Sequence, residues 1–177
     1  MRNRFSQLIT EAAQRDPDVL VMTGDHGYAL FDSFRTQCAS QFINCGVAEQ
    51  NMVGVAAGLA SAGFYPIIYG LSSFVPMRVA EQIRLDFCYA NLPALIVGDG
   101  AGVVYSHLGV SHQCTEDVAL LRAMPNMHVF SPCDAWELDY CFKAALALKS
   151  PCYMRLGKSD RGEVHQAPIS KGIGQLL

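Results

Sequence analysis

Charged side chains are scarce in this chain. Only 16% of its 177 residues are Asp, Glu, Lys or Arg, against about 25% in an ordinary soluble domain. The net charge is −3 and no basic cluster occurs, which argues against a nucleic-acid-binding protein. No apolar run reaches the ~18 residues that a membrane-spanning helix needs, so we expect no membrane span. With 51% hydrophobic residues, the chain is predicted to carry more apolar surface than one domain buries, which favours a partner chain.

The cysteines lack the spacing of a zinc site or of a disulfide framework. There are seven, an odd number, and none forms a C-x-x-C pair. Most lie among apolar neighbours, where a free thiol behaves as a small hydrophobic group. We therefore expect no metal ligand among the site residues. Residues 1–4 lead into an amphipathic helix rather than a signal peptide, so the cytoplasm is the expected compartment.

Short apolar runs alternate with helical patterns along the chain. Strands are predicted at residues 18–23, 42–44, 65–69, 92–97, 127–130 and 152–155, and helices near residues 5–13, 49–60, 75–89, 116–123 and 135–149. This alternation predicts an α/β fold, a parallel sheet with helices on both faces, over residues 3–160. Residues 161–177 are predicted to be a tail or the start of a further domain. Ligands of such folds bind beyond the carboxyl ends of the strands.

One carboxylate, Glu49, stands alone in the otherwise uncharged run of residues 44–60. Apolar residues recur after it at three- and four-residue steps, which predicts a helix. Gly54 and Gly58 lie on one face of that helix. Because each glycine costs about 1 kcal/mol in a helix, they predict close approach of a neighbouring backbone. One interpretation of Glu49 is that it only complements the helix dipole. The other is a working carboxyl group in an apolar wall, where desolvation raises its pKa for proton chemistry.

Residues 42–52 read F-I-N-C-G-V-A-E-Q-N-M. They resemble the signature F-x-N-x-G-[IV]-A-E-Q-N-M of the transketolase family's pyrimidine-binding domain. Three later segments agree with the family in order and spacing: Ser111-His112-Gln113, the run L-R-A-M-P-N-M at residues 121–127, and the run C-Y-M-R-L-G at residues 152–157. The resemblance covers about residues 3–160 and is closest to split transketolases, in which two polypeptides divide the enzyme.

The resemblance implies a transferase of carbohydrate metabolism that depends on thiamine diphosphate and Mg²⁺. Such an enzyme moves a two-carbon ketol unit between sugars. In the family, the signature Glu, here Glu49, contacts the aminopyrimidine ring of the cofactor, and an aromatic residue stacks on that ring. Phe74 is the best match for the stacking residue and Tyr69 is a second candidate. A separate diphosphate-binding subunit would hold the diphosphate and the metal, so we expect a homodimer or a heterotetramer that is active only with that partner.

Further candidate residues follow the ends of other predicted strands. The Ser-His-Gln match implies that His112 is a substrate-facing donor or acid–base group. Arg155 is either an ion-pair partner or a clamp for phosphate or carboxylate, for which its forked guanidinium group suits it. Asp25, His26 and His107 are additional candidates for substrate binding, placed by their positions in loops that follow strands.

The chain departs from the family directly before His112. Transketolases that act on sugar phosphates typically read G-E-D-G-x-[ST]-H-Q, whereas this chain reads S-H-L-G-V-S-H-Q from Ser106. Leu108 thus stands where the family has an Asp that contacts a donor hydroxyl group. This difference predicts a modified or less hydroxylated donor rather than an ordinary ketose phosphate.

Alternative interpretations stay open. The run G-D-G-A-G at residues 98–102 suggests a dinucleotide site, but no helix opens convincingly after the glycines. With Asn126 it also resembles the family's metal motif, but Asn126 lies in the M-P-N segment that leads into a strand, as in the pyrimidine-binding domain, which argues against a metal at Asp99. Within the wider family, a β subunit of a 2-oxo acid dehydrogenase or a deoxyxylulose-phosphate-synthase-like enzyme shares this domain. A scaffold or regulatory subunit that keeps the fold without turnover is a non-enzymatic alternative.

Overall fold

Six parallel strands form one sheet at the centre of the domain. The computed structural model describes residues 1–157 and 162–169. The strands are β1 (Val19–Thr23), β2 (Phe42–Asn44), β3 (Tyr65–Leu71), β4 (Ala94–Asp99), β5 (His128–Phe130) and β6 (Pro151–Leu156). Their order across the sheet is β2-β1-β3-β4-β6-β5, and every pair is parallel. The predicted α/β parallel sheet is confirmed.

Helices cover both faces of this sheet. They are α1 (Arg2–Arg15), α2 (Asp32–Gln37), α3 (Glu49–Ser61), α4 (Ala80–Gln82), α5 (Asp117–Arg122) and α6 (Ala135–Leu148). Residues of α1, α2 and α6 pack into the hydrophobic core on one face, and residues of α3 and α5 pack into the core on the other. Within the described residues, three short 3₁₀ turns occupy Ala39–Gln41, Met77–Val79 and Ser106–Leu108. None of the helices in the described ranges is long and apolar enough to cross a membrane.

The predicted helix at residues 75–89 was wrong in its start and in its type. Met77–Val79 form a 3₁₀ turn after Pro76, Ala80–Gln82 make one α-helical turn, and Ile83–Tyr89 continue as a π-helix. The wider turn of the π-helix brings residues four and five apart onto one face. Ile83, Phe87 and Cys88 are all fully buried as a result. The predicted strand at residues 92–97 begins later, at Ala94, directly after Pro93, which has no N–H for the ladder.

The four inner strands determine where the loops at their carboxyl ends lie. Every residue of β1 and β3 is buried, as are all but one residue of β4 and of β6. Their parallel register pairs Thr23 with Tyr69, Gly70 with Gly98, and Gly98 with Arg155. The carboxyl ends of four neighbouring strands therefore lie side by side. The loops that follow neighbouring strands therefore start about 5 Å apart.

Gly98 in the sheet is tightly packed, whereas Gly54 and Gly58 in helix α3 have open space beside them. A Cβ atom added at Gly98 would lie 2.3 Å from the hydroxyl oxygen of Tyr153. A Cβ atom added at Gly54 or Gly58 would meet no other atom of the described chain within 4 Å. The predicted close approach of a backbone at Gly54 and Gly58 is therefore not made within this chain, where both glycines are exposed.

His165, which falls in the predicted tail, is only 7% exposed. Its backbone N–H and its ring both contact Asp134, at the start of α6. This part of the segment 162–169 therefore packs against the domain. Residues 158–161 and 170–177 of the predicted tail lie outside the described residues, as does the boundary predicted at residue 160.

We expect alanine at these glycines to change stability in opposite directions. Gly54→Ala should stabilise the isolated chain by about 0.5–1 kcal/mol, because alanine loses less backbone entropy in a helix and meets no clash. Gly98→Ala should destabilise it by about 1–3 kcal/mol, because the new methyl group overlaps the Tyr153 ring. Urea unfolding midpoints measure both changes. Shifts of the same sign in the two variants would contradict this account of the packing.

Candidate active site

A cavity of about 160 Å³ opens at the carboxyl ends of β1 and β3. Its lining residues are Gly24, Asp25, His26, Val47, Glu49, Tyr69, Gly70, Leu71 and Phe74. Five of these were predicted from sequence as site residues. The structure thus gathers into one cavity the candidates Asp25, His26, Glu49, Tyr69 and Phe74.

Glu49 is held at the first position of helix α3 and is 7% exposed. The loop before it is fixed by Asn44, whose side-chain oxygen accepts hydrogen bonds from the backbone N–H groups of Asp25 and Gly46 at 3.0 Å. Gly24 lets this loop approach β1, because a Cβ atom there would lie 3.1 Å from the Gly46 carbonyl oxygen and 3.6 Å from Glu49 Cγ. Small residues at the end of β1 therefore place the Glu49 side chain in the cavity.

Arg78 is the direct partner of Glu49. Its Nη1 donates a hydrogen bond to Glu49 Oε2 at 3.0 Å, and its guanidinium carbon lies 4.4 Å from the centre of the Phe74 ring. Arg78 thus contacts both the carboxylate and the aromatic face of the cavity. It was not predicted from sequence, although it is the first charged residue after β3. The apolar wall expected around Glu49 is therefore interrupted by a cation.

His112 lies on the far side of Phe74. The two ring centres are 5.4 Å apart in an edge-to-face arrangement, and Ser111 Oγ lies 3.0 Å from His112 Nδ1. Mutual backbone hydrogen bonds between Gly102 and Cys114, 2.6 and 2.9 Å long, close the loop that carries this histidine. His112 therefore contacts a residue that lines the cavity, although it does not line the cavity itself. His107, on the same loop, is exposed and its ring lies 6.3 Å from that of Tyr105.

His26 and Tyr69 form the floor on the β1 and β3 side. Their rings stack with centres 5.5 Å apart, and Thr23 Oγ1 fixes the turn by hydrogen bonds with the His26 backbone. His26 Nε2 lies 3.5 Å from Asp99 Oδ2, and it is buried with no hydrogen-bond partner among the described residues. Tyr69 is 2% exposed, and burial, with the nearby charge of Asp99, raises the pKa of its hydroxyl group.

Arg155 lies away from this cavity, in a buried polar network. Its Nε donates to Asp117 Oδ2 at 2.9 Å, and the Tyr153 hydroxyl donates to the same oxygen at 2.7 Å. Asp117 is fully buried at the first position of α5. Burial and the adjacent Asp117 raise the pKa of Tyr153. Arg155 thus makes the contacts expected of an ion-pair partner. Asp117, like Arg78, was not predicted from sequence.

Removal of the Arg155 charge should destabilise the fold. Arg155→Met leaves the fully buried Asp117 without its cation, and breaking a buried pair in this way typically costs about 3 kcal/mol. Arg122→Met, at an exposed position in the last turn of α5, is the matched control and should change stability by less than ~0.5 kcal/mol. Urea unfolding of the two variants measures the difference. Equal midpoints would show that Asp117 does not depend on Arg155.

Comparisons with known proteins agree on one family. The family described as "Transketolase, pyrimidine binding domain" matches residues 1–162. One of the subunits of an apulose-4-phosphate transketolase from Phocaeicola vulgatus is 33% identical over 166 residues, which cover 93% of this chain and 53% of that protein. A subunit of the 6-deoxy-6-sulfo-D-fructose transketolase of a Clostridium species is 35% identical over 157 residues, covering 88% of this chain and 49% of that protein.

A solved structure resembles the whole described fold. A split-gene transketolase in the form of an inactive β4 tetramer superimposes with a TM-score of 0.85 at 36% identity, covering 98% of this chain and 57% of the other. This chain therefore spans about half the length of the curated relatives and of the solved structure that it matches.

Proposed function

This chain belongs to the transketolase family through its pyrimidine-binding domain, and from that premise we propose that it is the cofactor-activating part of a split transketolase. The proposed enzyme depends on thiamine diphosphate and transfers a two-carbon ketol unit between sugars or modified sugars. The observation that carries the proposal is the single cavity in which the Glu49 carboxylate and the Phe74 ring lie together at the carboxyl ends of the strands.

The residues of the cavity fit the aminopyrimidine end of thiamine diphosphate. A flat heteroaromatic ring needs an aromatic face to stack on and a carboxylate at its ring nitrogen, and Phe74 and Glu49 supply these two groups. His26, which lines the same cavity, adds a further polar side chain beside these two groups. Mg²⁺ and the diphosphate are assigned in this proposal to the partner subunit.

Arg78 must leave Glu49 when the pyrimidine ring binds. Its guanidinium group now takes both contacts that the ring would make, because it lies over Phe74 at 4.4 Å and donates to Glu49 at 3.0 Å. The Arg78 side chain is 46% exposed, so it has room to move aside. In the absence of cofactor the guanidinium group neutralises the buried carboxylate.

Glu49 would hold and release a proton at its carboxyl oxygen, opposite the ring nitrogen. Thiamine diphosphate, when bound, supplies the carbon nucleophile that takes up the ketol group. Phe74 would fix the plane of the ring, and the low exposure of Glu49 excludes water from the proton path. His112, which contacts Phe74 from the loop side, is placed to donate a hydrogen bond or a proton to the substrate.

Glu49→Gln tests this role. Glutamine keeps the shape of the side chain but cannot exchange the proton, and positioned proton transfer is typically worth ~10²–10⁴ in rate. We expect exchange of the cofactor's C2 proton with deuterated solvent to slow by about that factor in the complex with the diphosphate-binding subunit. Folding and assembly should persist, because the glutamine oxygen can still accept the Arg78 hydrogen bond, the half-exposed guanidinium group stays in contact with water, and the lost helix-dipole contribution is only ~0.3–1 kcal/mol. NMR of the cofactor measures the exchange rate.

Arg78→Met is the matched control for that experiment. Methionine keeps an apolar stem over Phe74 but removes the guanidinium group that competes with the cofactor. The cofactor should therefore bind more tightly to this variant, while its proton still exchanges. Exchange as fast in Glu49→Gln as in the unchanged chain would show that Glu49 is only a structural residue.

The partner is proposed to cover the exposed face of helix α3. Gly54 and Gly58 are open there, and Val55 on the same face is 43% exposed. Val47, which lines the cavity two residues before helix α3, is 77% exposed. Each glycine lowers the stability of the helix, and neither is packed against the described part of this chain. Contact with another chain would therefore explain why both glycines are present. The structural relative that forms an inactive β4 tetramer supports self-association of this subunit when its partner is absent.

Gly58→Leu should weaken assembly without unfolding the chain. Leucine has open space within the isolated chain but would fill the surface where a neighbouring backbone approaches. We expect binding to the diphosphate-binding subunit to weaken at least tenfold, as followed by light scattering at micromolar concentration. Lys143→Leu adds the same side chain at an exposed position of α6, on the other face of the sheet, and should leave binding unchanged. A monomer that stays monomeric when the partner is added would refute the proposed interface.

The proposed donor is a modified or less hydroxylated sugar. Leu108, which replaces the family's Asp, lies on the exposed turn Ser106–Leu108 and is 49% exposed. An apolar side chain cannot accept a hydrogen bond from a donor hydroxyl group. Two relatives carry names that specify modified sugars, an apulose 4-phosphate and a 6-deoxy-6-sulfofructose, which supports this choice of substrate class.

Leu108→Asp should shift the preference of the complex towards ordinary ketose phosphates. The ratio of kcat/KM for xylulose 5-phosphate to that for a sulfonated or deoxygenated donor should rise about tenfold or more, because a restored hydrogen-bond acceptor favours the hydroxylated donor. Turnover of each donor by the reconstituted complex measures the ratio. The proposal would be refuted if the wild-type complex turned over xylulose 5-phosphate as fast as an ordinary transketolase does. Turnover with pyruvate as donor would favour the deoxyxylulose-phosphate-synthase-like alternative.

A further inference from the structure

Three metal-ligating side chains meet at the start of helix α6, away from the cavity described above. They are Cys133, Glu137 and His165, whose candidate ligand atoms all lie within 4.8 Å of one another. The cluster follows β5, the outer strand at the end of the sheet opposite β2. None of its members lines the Glu49 cavity. The cluster therefore needs an explanation separate from the proposed transketolase site.

His165 is the most constrained member. It is 7% exposed, and its Nδ1 lies 2.8 Å from Asp134 Oδ2, while its backbone N–H donates to the same oxygen at 2.7 Å. These contacts fix the orientation of the ring. The other ring nitrogen, Nε2, points to Glu137 Oε1 at 3.9 Å, which is too long for a hydrogen bond. The oriented ring thus directs Nε2 towards Glu137 without a hydrogen bond to it.

An Asp that orients a His through Nδ1 and leaves Nε2 for a metal is a common arrangement around protein-bound zinc. One thiol, one imidazole and one carboxylate are also donor types that Zn²⁺ accepts. In a tetrahedral zinc site, bond lengths of ~2.0–2.3 Å place the ligand atoms roughly 3.5 Å apart. The cluster is about 1 Å wider than that at most. Small side-chain rotations would close it, and because Cys133 is exposed, water could reach the ion as a fourth ligand.

The charge of the cluster also favours a cation. Neither Asp134 nor Glu137 pairs with a Lys or Arg side chain in the described part of the chain, and within that part both carboxylates have His165 as their ion-pair neighbour. The N-terminus of α6 carries about half a positive charge, which opposes a cation at this place. Two full carboxylate charges outweigh it.

We propose that Cys133, Glu137 and His165 bind one divalent cation of the zinc class, with Asp134 orienting the histidine. The ion would join the segment 162–169 to the first turn of helix α6, so its role is structural. No metal ligand was expected from the sequence, because the cysteines are not paired. This set instead combines a Cys and a Glu four residues apart with a His 28 residues later.

A competing explanation needs no metal. Glu137 Oε2 accepts the backbone N–H of Cys133 at 2.7 Å, and Asp134 caps the helix by accepting the N–H of Glu137 at 2.9 Å. These contacts would explain the carboxylates as helix caps and the histidine as a clamp on the segment. Under that explanation the Cys133 thiol is a hydrogen-bond partner of Glu137 rather than a metal ligand. Metal titration separates the two explanations.

Titration of the full-length chain with Co²⁺ tests the proposal. A four-coordinate site with one thiolate should give visible Co²⁺ bands and a thiolate-to-cobalt charge-transfer band that saturate at one equivalent. Zn²⁺ added afterwards should abolish both. Cys133→Ser should remove the charge-transfer band. Cys141→Ser, which changes a half-buried cysteine of helix α6 outside the cluster, should retain it.

Glu137→Gln and His165→Gln should each weaken Co²⁺ binding at least tenfold. The first variant keeps an acceptor for the Cys133 N–H, so a loss of metal affinity there is not explained by a lost helix cap. No spectral change at one equivalent of Co²⁺ would overturn the proposal. So would a charge-transfer band that survives Cys133→Ser, or an affinity that is unchanged in either the Glu137 or the His165 variant.

Discussion

The parallel pairing of four buried strands is the constraint on which the candidate site depends. Strands β1, β3, β4 and β6 satisfy one another's backbone groups in a continuous register, so their carboxyl ends must lie side by side. The loops that leave these ends can carry polar groups because they emerge from the core at one edge. Gly24 and Gly98 stand near these ends, where a Cβ atom would collide with a neighbouring loop or with Tyr153. Sheet geometry and small residues together place the side chains of the cavity.

A chain with so little charge uses several of its carboxylates in buried positions at helix starts. Glu49, Asp117 and Asp134 stand at the beginnings of α3, α5 and α6, and each has a cationic or imidazole partner. The helix dipole favours a negative charge at each of these places. Burial alone would raise the pKa of Asp134, but hydrogen bonds from three backbone N–H groups and from His165 lower it from 3.8 to about 2. Its ionised form therefore stabilises the fold above pH ~4, and that contribution is lost as the pH falls through 2.

The parallel sheet could be predicted from the sequence alone, because strands that are buried on both faces appear as continuous apolar runs, which few other structures produce. Their alternation with helices also indicated the edge at which Asp25, Glu49 and Phe74 meet. Contacts between residues that are far apart in the sequence could not be predicted from it. The spacing of Arg78 from Glu49, or of His165 from Cys133, follows no helical or strand period, so only the packed fold brings these residues together. The π-helix at Ile83–Tyr89 was missed for a related reason, since its apolar spacing also suits an ordinary α-helix.

The scarcity of charge and the incomplete site have one physical explanation under the proposed function. Large apolar side chains stand almost fully in solvent on the isolated chain, among them Tyr28, Tyr89 and Val110, at 83–95% exposure. A subunit whose surface is reserved for another chain needs few charges there. The Glu49–Arg78 pair agrees with this explanation, because a nearby cation stabilises a buried carboxylate that has no cofactor beside it. The isolated chain would then keep its carboxylate neutralised by Arg78. The carboxylate would become available for proton transfer only when the partner presents a cofactor whose ring replaces the guanidinium group.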